Sequence, residues 1–168
     1  ANGLYAVSVV GRNSAGVWQA DADATVSRTW AVISSLRGVL INEVLARNVS
    51  AVNHEGTFPD WIELHNPNAV AYPLAGLSLT DDLGTPAKFV FPPQTQVEPR
   101  GFLRILCLPT DGIDESVQPL AAGTLVAPFG LSHNGETVYL LDTPENGNAV
   151  VDQVAFGPLP PDLTLARI

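Results

Sequence analysis

Five carboxylates, Glu43, Asp60, Glu63, Asp81 and Asp82, fall on or at the ends of three consecutive extended segments. Were those ends to converge, their oxygens would be ligands for Ca²⁺, which takes about six to eight. No loop carries the Asp-x-Asp-x-Asp-Gly spacing of a dedicated calcium loop. The plainer reading has Asp81-Asp82 capping the turn before Leu83-Gly84-Thr85-Pro86. Glu43 and Glu63 would then face solvent or pair with Lys88 or Arg104. The plainer reading is preferred, so no metal is expected, and a second acidic stretch, Asp111-Gly112-Ile113-Asp114-Glu115, is sparser still.

Nucleophilic or zinc chemistry has less to build on. His54, His65 and His133 include no His-x3-His pair, and the single cysteine, Cys107, offers no Cys pair. Cys107 sits in the apolar run Phe102-Leu103-Arg104-Ile105-Leu106-Cys107-Leu108 and reads as a small buried hydrophobe. Ser132 is adjacent to His133, which on a strand puts the two side chains on opposite faces, and no Gly-x-Ser-x-Gly elbow is present. Paired acids serve hydrolysis only beside a cleft, for which a small sandwich with short loops has little room. No catalytic residue and no cofactor is expected. Asn48-Val49-Ser50 fits the glycosylation triplet, a pattern too frequent by chance to carry weight.

The elements that would hold these residues are strands. Fourteen Gly and fourteen Pro punctuate a chain of 168 residues, a spacing that suits short strands better than helices. Extended segments are predicted at 39–47, 60–66, 76–80, 87–91, 101–108, 137–142 and 149–155. Their period-two spacing selects Ile41 or Val44, Ile62, Leu64, Leu79, Phe89, Phe102, Val138, Leu140 and Val154 for the core. Trp61 and Glu63 share the other face of their strand, with Trp61 either covered by a loop or exposed as an anchor for a partner. Asn134-Gly135 and Asn146-Gly147 mark tight turns, and Pro86, Pro92 and Pro93 mark 87–91 as a short or edge strand. A helix within 113–122 would be one turn at most. Ahead of the linker Ser34-Ser35-Leu36-Arg37-Gly38, Tyr5, Val7 and Val9 alternate onto one face, Arg12-Asn13-Ser14-Ala15-Gly16 reads as a turn, and a second extended segment follows. Charged residues are 15% against 46% hydrophobic, which excludes a disordered chain, and no apolar run approaches the length of a membrane span. A net charge of −9 repels phosphate backbones, so nucleic acid is excluded as a partner.

The run Asp60-Trp61-Ile62-Glu63-Leu64-His65-Asn66-Pro67 follows Ile41-Asn42-Glu43-Val44-Leu45-Ala46 and precedes Leu74-Ala75-Gly76-Leu77-Ser78-Leu79-Thr80-Asp81-Asp82. Together with Lys88-Phe89-Val90-Phe91-Pro92, Pro99-Arg100-Gly101-Phe102-Leu103, 131–140 and 151–157, in that order, it resembles a lamin-tail domain over about residues 36–168. The resemblance implies an all-β, immunoglobulin-like antiparallel β-sandwich that binds or supports and does not catalyse. Residues 1–34 resemble the last hairpin of a fibronectin type III domain, whose preceding strands are absent. The expected organisation is thus a partial fibronectin-like hairpin at 1–34 and a lamin-tail-like sandwich at 35–168.

On this reading the chain is a non-catalytic binding or structural module, cut from a larger secreted or cell-surface, bacterial, multidomain protein, with any targeting signal outside it. The rival is an ancillary domain of an extracellular hydrolase whose catalytic domain lies elsewhere. A chromatin-binding role, implied by nuclear lamins, is disfavoured by the acidic charge. Expected partners are a protein or surface ligand, without nucleic acid or membrane insertion. The apolar faces of the hairpin, Tyr5, Val7 and Val9 with Trp18, Val26 and Trp30, are expected to find cover, either on an edge of the sandwich or by self-association through residues 1–34 of another copy.

Overall fold

The computed structural model of the chain describes residues 3–32, 38–54, 56–109 and 123–167. Most of the expected linker, the acidic stretch at 111–115 and the one-turn helix within 113–122 lie outside them. The chain divides into two compact units, residues 1–36 and 37–168.

The first unit is an irregular antiparallel hairpin. β1 (Gly3–Tyr5) pairs with β4 (Trp30–Val32), β2 (Ser8–Val9) pairs with β3 (Thr25–Val26), and Arg12 bridges Trp18. The chain reverses at Asn13, whose Oδ1 accepts the Val17 N–H at 2.9 Å, and at Gly16, whose φ of +81° a side chain would resist. The returning arm is longer than the outgoing one, and a 3-10 turn at Asp21–Asp23 takes up part of the surplus. Leu4, Val7, Val9, Trp18 and Val26 are all exposed on this unit.

The second unit is a sandwich in which every predicted segment carries a strand. Its strands are β5 (Leu40–Leu45), β6 (Asp60–His65), β7 (Tyr72–Pro73), β8 (Ser78–Thr80), β9 (Phe89–Val90), β10 (Gln96–Val97), β11 (Phe102–Cys107), β12 (Val126–Ala127), β13 (Glu136–Leu141), β14 (Val150–Phe156) and β15 (Leu165–Ala166). One sheet runs β12-β11-β6-β5-β15 and the other β14-β13-β8-β9, with β7 and β10 forming a small separate ladder. All of these pairings are antiparallel except β11 with β12. The proline-bracketed strand β9 is short and lies at a sheet edge, as proline's missing donor requires. Gly135 turns the chain into β13 at a φ of +106°, and a Cβ there would lie 2.6 Å from the Phe156 carbonyl oxygen.

Ile41, Val44, Ile62, Leu64 and Ile105 of the first sheet meet Leu79, Val138 and Leu140 of the second in a core from which water is fully excluded, while Phe89 is buried and Val154 partly so. Ile41 and Val44 are three residues apart, yet both face inward. Ile41 opposes Leu64 and Glu43 opposes Glu63, so Asn42 is an extra residue in the ladder. That bulge resets the alternation and admits both side chains to the core.

Phe102 departs from the expectation: it is 57% exposed. β11 is apolar on both faces, so period two fits either phase. The inward set is Leu103, Ile105 and Cys107, which leaves Phe102 on the outer face with Arg104 and Leu106.

The Asn-Pro turn after β6 is pinned by Asn66, whose side chain is fully buried. Its amide donates to the carbonyls of Val70, Val97 and Glu98 at 2.8, 3.0 and 3.0 Å, and its Oδ1 accepts the Asn68 N–H at 2.9 Å. One side chain thereby satisfies several loop groups that would otherwise be buried unpaired.

Candidate functional site

The outer face of the five-stranded sheet is organised in three cross-strand rows. Leu45, Trp61 and Leu106 form the first, Glu43, Glu63 and Arg104 the second, and Leu40, His65 and Phe102 the third. The first row is dry: Trp61 is 4% exposed and is closed over by Val52, from the loop between β5 and β6, and by Val126. Of the two readings of Trp61, the covered one holds. Among the described residues the indole N–H meets no hydrogen-bond acceptor.

In the second row the Arg104 guanidinium lies 4.7 Å from the centre of the Trp61 ring, a cation over the ring's negative face. Arg104 also stands opposite Glu63, whose Oε1 accepts a hydrogen bond from Asn42 Nδ2 at 3.1 Å. Glu43 and Glu63 oppose each other directly, a repulsion that Arg104 on the far side of Glu63 offsets. In the third row Phe102 stacks on His65, with ring centres 4.5 Å apart and planes 20° from parallel. The face therefore grades from a closed apolar corner, through a charged row, to an open aromatic pair. An exposed aromatic beside an arginine is the composition common at interface anchors.

The five candidate carboxylates are not gathered together. Glu43 and Glu63 lie on the outer face, whereas Asp60 shares the phase of inward-facing Ile62 and accepts the Asn48 N–H at 2.9 Å. Asp82 caps its turn as expected, accepting the Gly84 N–H at 2.8 Å and the Thr85 hydroxyl at 3.2 Å. Asp81 is ion-paired with Lys88. Glu136, which strand-end position among the first three segments does not single out, lies within the electrostatic influence of Asp60 and Asp81. Burial raises the pKa of Glu136, as do the fields of Asp81 and Asp60, while the Ser132 N–H and Lys88 oppose the rise. Burial likewise raises Asp60, against hydrogen bonds from the Asn48 and Leu131 backbone and the charge of His133. The signal for Glu136 was its place at the first strand position after the Asn134-Gly135 turn.

Cys107 is buried, and burial pushes its thiol well above the usual range, with Asp60, Glu136 and Asp81 adding to the rise. A protonated thiol of this kind is a poor nucleophile. The three histidines occupy separate elements: His65 stacks on Phe102, His54 bridges Thr57 through its backbone, and His133 lies exposed in the turn before β13. Among the described residues no three of His, Cys, Asp and Glu are grouped so as to hold a metal ion. Asn48 uses its side-chain amide to donate to the carbonyls of Val52 and Pro59 at 2.7 and 2.8 Å, so the Asn48-Val49-Ser50 triplet is part of the fold.

Searches of curated proteins and of solved structures each return no significant match. The family model described as Lamin Tail Domain matches residues 33–158, most of the chain and all of the sandwich strands from β5 to β14. The two-sheet architecture agrees with that match, and this chain belongs to the lamin tail domain family.

Proposed function

We propose that this chain is a non-catalytic binding and structural module of a larger exported, bacterial, multidomain protein, and that the outer face of its five-stranded sheet is the docking surface. The observation that carries the reading is Phe102, a large aromatic left 57% exposed and stacked on His65 beside the charged row of Glu63 and Arg104. Exposed aromatics flanked by charge are typical anchors of protein partners. The fibronectin-like pattern of residues 5–31, which precedes the sandwich in the sequence, supports an extracellular setting. A net charge of −9 favours a protein or surface ligand over nucleic acid.

The test is photo-crosslinking in the cells that make the protein, with p-benzoylphenylalanine in place of Phe102 or of Val150, an exposed residue of β14 in the other sheet. Adducts from position 102 and none from position 150 are expected. Equal labelling at both positions, or none at either, overturns the assignment of this face.

A further inference from the structure

The segment after β14 crosses back over the sandwich and is held almost wholly by polar contacts. Asp162 places its carboxylate in a cradle of three successive backbone N–H groups: Oδ1 accepts from Val49, Ser50 and Ala51 at 2.7, 2.9 and 3.2 Å. The Ser50 hydroxyl donates to Oδ2 at 2.6 Å. Consecutive N–H groups turned to one point form a nest that favours an anion, and these bonds bring the Asp162 carboxyl down to about 2. Asp162 itself is left-handed, at a φ of +59°, and donates its N–H to the Arg47 carbonyl at 2.9 Å. Five residues on, Arg167 donates to Asp152 Oδ1 at 2.8 Å, and its backbone N–H bonds the Asn42 carbonyl at 2.8 Å. Between these anchors Leu165 and Ala166 pair with Val44 and Glu43. The segment is thus a strap with an acid at one end and a base at the other, fitted to a nest, a strand edge and a carboxylate.

Its side chains contribute little burial. Leu163, Thr164, Leu165, Ala166 and Arg167 are exposed, and Leu159 alone packs partly against the core. A segment held by a few surface hydrogen bonds opens at far lower cost than the core. The connector Gly157-Pro158-Leu159-Pro160-Pro161 carries three prolines, whose fixed φ keeps it stiff, so a released strap stays projecting and loses little freedom when it docks again. The family match ends at residue 158, just ahead of the strap.

We propose that the β5 edge and its nest form a receptor for this strap in trans: a second copy of the chain fills the site by exchanging residues 159–167. The second copy is the fitting occupant because it presents the same Asp162-to-Arg167 spacing that both anchors require. Every bond of the closed form is remade in the exchanged pair, so the equilibrium turns on the association entropy against the strap's local concentration, of millimolar order for a short tether. Exchange is therefore a feature of crowded or arrayed copies.

Arg167 bonds directly to Asn42 across the ladder, which makes Ala166–Glu43 the non-hydrogen-bonded pair with the closer side chains. Two full-length variants, Glu43→Cys and Ala166→Cys, are mixed near millimolar concentration and oxidised with copper phenanthroline. Buried Cys107 does not compete. A mixed disulfide dimer is expected, with neither variant dimerising alone to the same extent. The doubly substituted chain closing its disulfide internally while the mixture stays monomeric overturns the proposal. A readout without engineered thiols is light scattering of the unmodified chain over the same concentrations: a dimer lost on Asp162→Ala is expected. A dimer that survives that change, or none at any concentration, overturns it.

Discussion

Arg104 and Trp61 meet diagonally across β11 and β6, with the guanidinium 4.7 Å from the ring centre, so the arginine acts as a lid on the one buried tryptophan of the sheet's outer face. Such a contact contributes about 0.5–1 kcal/mol where the cation remains accessible to water. Arg104→Ala is accordingly expected to lower the urea midpoint by an amount equivalent to about 1 kcal/mol, with the slope unchanged and a shift in tryptophan emission. Arg104→Lys retains the charge without the planar stack and should fall between. Equal stability of all three chains refutes the lid.

Phe102 and Ile105 share a strand but not a face, which separates their expected effects. Ile105 is fully buried, so Ile105→Ala is expected to cost about 2–5 kcal/mol through lost burial and the cavity left behind. Phe102→Ala, at an exposed position, should cost under about 1 kcal/mol. Chemical denaturation of the two variants checks the assignment, and a Phe102→Ala cost equal to that of Ile105→Ala would return Phe102 to the core.

The seven main strands were legible because turn residues, Gly, Pro, Asn or Asp, stand at or close to their ends. The phase of β11 was harder, since Phe102, Leu103, Ile105 and Leu106 offer apolar groups to both faces. Arg104 was the available signal: a guanidinium two residues from Phe102 must share its side of the sheet. The Asn42 bulge has no such marker, because what inserts is an unpaired backbone position. The Asp162 nest was invisible for the same reason, as backbone N–H groups carry no residue code. The metal candidates rest on residue type and strand-end position, whereas the mutual influence of Asp60, Asp81 and Glu136 depends on packing between the two sheets, which strand spacing does not specify.

Asn66 is expected to be among the least replaceable polar residues. Asn66→Ala leaves the Val70, Val97 and Glu98 carbonyls without their donor in a buried turn, at about 1–3 kcal/mol for each group that water cannot reach. A large loss of melting temperature is expected, with Asn66→Asp no better because a carboxylate cannot donate. A drop of less than a few degrees for Asn66→Ala would mean that water replaces the side chain.

The Ca²⁺ reading of the acidic residues leads to a null expectation with a positive control. Asp82 is committed to its turn and Asp81 to Lys88, so millimolar Ca²⁺ should leave the melting temperature unchanged. A ligand that bound the folded state alone would raise it by mass action. A chelator-reversible rise that disappears in Asp82→Ala would show that the turn reorganises around the ion.

The acids at opposite ends of the pKa range should give the stability curve two separable limbs. Asp162 is held at about 2, below its usual 3.8, so its ionised form favours the folded state. That contribution is complete above the unfolded value and is lost as pH falls from about 4 towards 2. Glu136 is raised above 4.5, chiefly by burial, so its ionised form disfavours the folded state. Its penalty is absent below the unfolded value and grows as pH rises from 4.5 through the folded one. Asp162→Asn is therefore expected to flatten the acid limb, and Glu136→Gln to raise the melting temperature above pH 5 relative to the parent chain, provided the Ser132 N–H keeps its acceptor in the amide oxygen. Melting curves between pH 2 and 7 test both. An unchanged acid limb in Asp162→Asn would mean that the nest releases the carboxylate before it titrates, and so that the strap opens ahead of the sandwich.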